Sequence, residues 1–163
     1  MLLEFAKSYT TAGISVIPVF IDTKKPKTLP PDYTWSKEQE RIIPPQELET
    51  YFGGLNGKHG IAFVSGRVSQ NLEIIDFDNH FGDATDVFRE FISIPEIKEI
   101  IAGYNLPYER TAGGGYHLFY RCPTIQGNTK LAVRPKSDDP AKGDTLIETR
   151  GEGGYCETEF GIE

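Results

Sequence analysis

The apolar residues of this chain come in short runs, and nearly every run is closed by glycine, proline or a cluster of polar residues. Residues 14–20, 60–65, 72–77, 116–121 and 145–149 are each five to seven residues long. Such runs suit strands and fall far below the roughly 20 apolar residues that a membrane span needs. Seventeen glycines and eleven prolines in 163 residues supply the intervening turns. Helical spacing is confined to three places. Leu2, Leu3, Phe5, Ala6 and Tyr9 line one face of a segment that Gly13 stops. Pro45 opens a short helix through Phe52, ended by Gly53-Gly54, and residues 84–101 read as a helix broken at Pro95. Further strands are expected near 107–111, 130–134 and 154–158. Residues 21–45 and 136–144 read as loops. Strands and helices mix without strict βαβ alternation, which predicts an α+β fold, with the whole chain, residues 1–163, as a single domain.

The formal net charge is −7, which argues against binding nucleic acid by bulk electrostatics. The charge is unevenly spread. Residues 102–151 hold seven basic and five acidic side chains, an island of +2 in an acidic chain. A local basic region of that kind suits phosphate groups better than a broad DNA-coating surface. Glu4 and the lack of a basic leader give no secretory signal. Cys122 and Cys156 form no C-x-x-C pair and read as two reduced thiols.

Three segments carry chemistry. The first is Leu72-Glu73-Ile74-Ile75-Asp76-Phe77-Asp78-Asn79, an apolar strand ending in two acids. Spacing i, i+2 puts both carboxylates on one strand face, about 6.7 Å apart at Cα. Two anions at that distance repel by about 2.5 kcal/mol at an effective dielectric near 20, which a divalent cation would offset. Two solvated acids at a strand end read equally well. The second is Arg110-Thr111-Ala112-Gly113-Gly114-Gly115-Tyr116-His117, in which three glycines allow close approach of a polyphosphate and free N–H groups for it. His117 then opens a strand whose alternation sets His117, Phe119 and Arg121 on one face. The third is Ile147-Glu148-Thr149-Arg150-Gly151-Glu152-Gly153-Gly154-Tyr155, with Glu148 and Arg150 sharing a face.

In this order the segments resemble the three motifs of the prim-pol family, the bifunctional DNA primase/polymerase branch of the archaeo-eukaryotic primase superfamily. The acid-x-acid motif is matched by Asp76 and Asp78, the small-x-His motif by Gly115-Tyr116-His117, and the acid before Arg-Gly-x-Gly-Gly-Tyr by Glu148 before Arg150 to Tyr155. Upstream, Lys25-Pro26 and Trp35 resemble the family's entry loop, and Gly60 to Gly66 its strand before the first motif. The chain departs from the family pattern at Glu148, where Asp is frequent, at Gly115, where Ser is common, and after Tyr155, where an apolar strand is usual. The last departure reads either as the N-terminal part of a longer replication protein or as a different exit loop.

The resemblance implies an antiparallel, recognition-motif-like sheet bearing the acids, packed with a smaller N-terminal αβ unit. It implies template-directed nucleotidyl transfer with two divalent ions, Mg²⁺ or Mn²⁺, held by Asp76, Asp78 and Glu148. His117 would bond the triphosphate and Arg150 would add a phosphate contact. Gly114, Gly115, Arg110 and Arg121 are further nucleotide candidates. Lys25 is either a DNA contact or a solvated loop lysine, and Trp35 either stacks on a base or anchors its loop. His59 and His80 read as surface residues, and Tyr155 as a packing residue. The implied partners are nucleoside triphosphates, single-stranded or primed DNA and a downstream helicase or accessory domain, in the cytoplasm of a bacterial, plasmid or phage replication context, with no membrane. Two other readings remain. A D-x-D phosphohydrolase expects Thr or Val where His80 stands, together with a downstream lysine motif not found here. A non-catalytic nucleic-acid-binding module expects a broken acidic triad, whereas all three acids stand.

Overall fold

Two antiparallel sheets lie face to face, with a helical pair covering the outer side of the larger one. The computed structural model describes residues 2–27, 33–136, 139 and 142–158. Pro30, Pro31, most of the polar loop after Lys136 and the chain past Thr158 lie outside them. The smaller sheet contains β1 (Ser15–Phe20), β2 (His59–Val64) and β8 (Tyr155–Thr158), in the order β1-β2-β8. The larger contains β3 (Leu72–Phe77), β4 (Tyr108–Arg110), β5 (Tyr116–Arg121), β6 (Thr129–Pro135) and β7 (Gly143–Arg150), in the order β4-β5-β3-β7-β6. The α+β expectation holds. The N-terminal unit is not closed by N-terminal residues alone, because its third strand is β8. Residues 155–158 replace the family's apolar strand with an alternating one, of which Cys156 and Thr158 are buried.

The helices follow the expected punctuation. Helix α1 covers Leu2–Thr11, and Gly13 turns the chain at φ +78°. Helix α2 covers Pro45–Phe52 with proline in its first turn. Pro95 divides residues 84–104 into α3 (Ala84–Ser93) and α4 (Pro95–Tyr104), as its missing N–H requires. The 21–45 loop also holds a short 3-10 helix, Trp35–Gln39. Its Glu38 is fully buried and meets Arg41 at 3.1 Å, which also reaches Glu47 at 2.9 Å. The Ser15 hydroxyl donates to the Glu38 backbone carbonyl, tying this helix to β1.

Strand alternation divides the core. Leu72, Ile74 and Phe119 face the smaller sheet and α1, where they meet Ile61, Phe63 and Ala6. Ile75, Phe77, Leu118 and Ile147 face α3 and α4, with Phe77 edge-on to Phe88 and Phe91. The polar ends of the first face emerge between the two sheets. No helix among the described residues is long and apolar enough to cross a membrane.

Candidate active site

Antiparallel pairing brings one row of polar residues into register across the larger sheet. Glu109 on β4 pairs with His117 on β5, His117 with Asp76 on β3, Asp76 with Glu148 on β7, and Glu148 with Lys130 on β6. Directly opposed residues share a face, so acids from three different strands flank one histidine. Two residues of this row, His117 and Asp76, line a cavity of about 630 Å³ between the sheets together with Asp78, Arg150 and Cys156, whereas Glu109 and Glu148 are not in its lining. That volume falls in the usual range for a small-molecule ligand.

His117 is nearly enclosed. Its Nδ1 lies 2.9 Å from Glu109 Oε1, and a carboxylate only accepts, so Nδ1 carries the proton. Thr158 donates to the other Glu109 oxygen at 3.2 Å. The remaining nitrogen, Nε2, sits 3.0 Å from Cys156 Sγ and 3.7 Å from Asp76 Oδ1. Burial first, and then the Asp76 charge, pushes the Cys156 thiol well up, so sulfur stands there as S–H.

Arg150 neutralises the acids. Its guanidinium reaches Asp76 Oδ2 at 3.1 Å and Glu148 Oε1 at 2.5 Å. Burial works against its charge, but Asp76 and Glu148 outweigh burial and raise its pKa. Arg150, from the third segment, thus offsets the repulsion between Asp76 and the opposed Glu148, not that expected between Asp76 and Asp78. Asp78 continues the β3–β7 pairing through its N–H to the Leu146 carbonyl, and its carboxylate meets His80 Nε2 at 2.9 Å. Among the described residues, the one group of three donors within metal reach is therefore Asp76, His117 and Cys156, without Asp78 or Glu148.

The glycine turn does different work from that expected. The Gly114 N–H donates to the Thr111 carbonyl and the Gly115 N–H to the Thr111 hydroxyl, so neither amide is free for an anion. A Cβ on Gly115 would stand 2.4 Å from the Phe77 carbonyl oxygen. Glycine there lets the turn press against the strand that carries Asp76. Gly114 has φ +82°, and Asn79 bonds the neighbouring Gly113 carbonyl at 2.9 Å.

The other expected residues divide. Trp35 lines the cavity and packs edge-on against Tyr155, with ring centroids 4.9 Å apart. Lys25 lies outside the cavity lining; its neighbour Lys24 lines it and approaches Glu157 at 3.8 Å. Arg110 is exposed on edge strand β4, its guanidinium near Gly114. Arg121 is on the expected face but at the wrong end. It pairs with Leu72, four residues and about 13 Å along β5 from His117, and borders a separate, mainly apolar cavity. Alternation fixes the face of a strand residue, not which end holds the site. Sequence reasoning missed Glu109, Cys156, Lys24 and the His80–Asp78 pair. The first three carry no local signal. The His80 pairing was open to view in its i, i+2 spacing from Asp78.

Acids and a shielded histidine on an antiparallel sheet thus meet Lys24 and Arg150 at one cleft. Residues 6–159 match the family described as bifunctional DNA primase/polymerase, N-terminal (Prim-Pol), and the chain belongs to that family. The family is associated with metal-dependent primase/polymerase activity. No individually curated protein matches the chain.

Proposed function

We propose that this domain catalyses template-directed nucleotidyl transfer, adding nucleotides to a primer on a DNA template. The observation that carries the reading is the register row Glu109–His117–Asp76–Glu148, of which His117 and Asp76 line the cleft, within a chain of this family. Asp76, Asp78 and Glu148 would supply oxygen donors only, which suits Mg²⁺ or Mn²⁺. Three carboxylates, Asp76, Asp78 and Glu157, against two cations, Lys24 and Arg150, leave the cavity lining short of positive charge, in keeping with such ions. When bound, a pair of divalent ions activates the primer 3′-hydroxyl and neutralises the leaving pyrophosphate.

The chain's own residues do the rest. His117, held by Glu109 at Nδ1, turns Nε2 toward the triphosphate. Arg150 exchanges its contacts with Asp76 and Glu148 for a bidentate phosphate contact. Trp35, beside Tyr155 at the cleft, offers its exposed part to a template base. The reading puts the protein in the cytoplasm, in a replication context, with further DNA-handling domains or a helicase as partners.

Incorporation on a primed template, with Mg²⁺ and with Mn²⁺, tests this. Wild type extends the primer, while Asp76→Ala and Glu148→Ala remain folded and lose extension. Template binding without incorporation under either ion would indicate a non-catalytic module. Template-independent release of phosphate would indicate a hydrolase.

A further inference from the structure

The residues behind His117 build a second kind of metal site. Asp76, His117 Nε2 and Cys156 Sγ place one oxygen, one nitrogen and one sulfur donor within 4.8 Å of one another. Tetrahedral coordination with bonds of 2.0–2.3 Å needs donors about 3.3–3.6 Å apart. The observed 3.0 Å from sulfur to nitrogen and 3.7 Å from nitrogen to oxygen lie within a few tenths of an ångström of that range. Glu109 holds Nδ1 of the same histidine, and Thr158 holds Glu109. A carboxylate behind a histidine is the support that aims an imidazole at zinc. All three residues line the cavity, from which a fourth ligand would come.

We infer that Asp76, His117 and Cys156 bind a single thiophilic divalent ion of the Zn²⁺ or Co²⁺ class, at a site that shares only Asp76 with the all-oxygen set proposed for Mg²⁺ or Mn²⁺. Sulfur and imidazole donors select against hard, octahedral Mg²⁺. Binding converts the Cys156 thiol to thiolate and releases its proton to water. Thiolate and carboxylate then balance the ion's two charges. The site engages Asp76 and His117, so zinc inhibits magnesium-dependent incorporation; that consequence rests on the function proposed above, whereas the binding itself does not.

Cobalt titration of the full chain, without DNA or nucleotide, tests the binding. One Co²⁺ per chain is expected, with tetrahedral visible bands and a near-ultraviolet sulfur-to-cobalt charge-transfer band. The chain has two cysteines, so Cys122→Ser must keep that band and Cys156→Ser must lose it. Cys156→Ser should also weaken Zn²⁺ binding at least about tenfold, and Glu109→Gln by about 10–100-fold. If Cys156→Ser fails to fold, retention of the band in Cys122→Ser still assigns the sulfur. Weak octahedral bands without charge transfer, loss of the band in Cys122→Ser, or unchanged Zn²⁺ affinity in folded Cys156→Ser would each overturn the inference. None of these readouts depends on incorporation.

Discussion

Arg150 occupies the place between Asp76 and Glu148 that opposed carboxylates would otherwise leave to a cation. Removing it should therefore cost stability in a way that added metal repairs. Arg150→Met is expected to lose about 1–3 kcal/mol in chelator, less than the 3–5 kcal/mol of a fully buried broken pair because the guanidinium is part-exposed. Mg²⁺ or Mn²⁺ should recover most of that loss, read by urea unfolding with and without the ions. Equal losses in both conditions would argue against cation exchange at these acids. Gly115 is a steric case. With a Cβ 2.4 Å from the Phe77 carbonyl oxygen, Gly115→Ala displaces the turn or β3. A cost of about 1–3 kcal/mol is expected from such overpacking. Thermal unfolding measures it, and a neutral substitution would show that the turn yields freely.

Among the elements, the short 3-10 helix Trp35–Gln39 depends on a charge it buries. Glu38 has no exposed surface, and Arg41 is its counter-ion. Burial raises the Glu38 pKa above its ordinary value, and Arg41 only partly opposes this. A folded-state pKa above the unfolded one favours the folded state while the group is protonated, and that advantage is lost as pH rises through the folded value. Arg41→Ala removes the opposing charge and widens this window. The variant should lose about 2–4 kcal/mol at neutral pH, and less at acidic pH, where Glu38 is protonated. Melting temperature against pH for wild type and variant checks the slope; a pH-independent difference would mean that Arg41 acts by packing alone.

For the whole molecule, the charge balance limits DNA affinity. A net charge of −7 and a cleft whose described lining has Lys24 and Arg150 as its lysine and arginine leave few phosphates to neutralise. Binding of residues 1–163 to primed DNA should be micromolar or weaker, with a salt slope reflecting about two to four phosphate contacts. Affinity at two salt concentrations measures both. Nanomolar binding with a steep slope would reveal a DNA surface elsewhere on the molecule.

Local spacing and chemistry were legible in the chain. Glycine and proline marked the end of α1, the start of α2 and the division of α3 from α4, because their backbone restrictions act within a few residues. Apolar runs marked the strands, and Asp76, Asp78, His117 and Glu148 stood out from spacing within single segments. Which strands adjoin, and in what register, was decided only by tertiary structure. Glu109, His117 and Cys156 meet because β4 pairs with β5 and β8 closes the smaller sheet, and none of the three predicts the others in sequence. The same registers moved Arg121 to the far end of the sheet and set Arg150 between the acids. A strand's alternation is written every two residues along the chain, whereas its pairing is settled by how two sheets and two helical layers bury their apolar faces together.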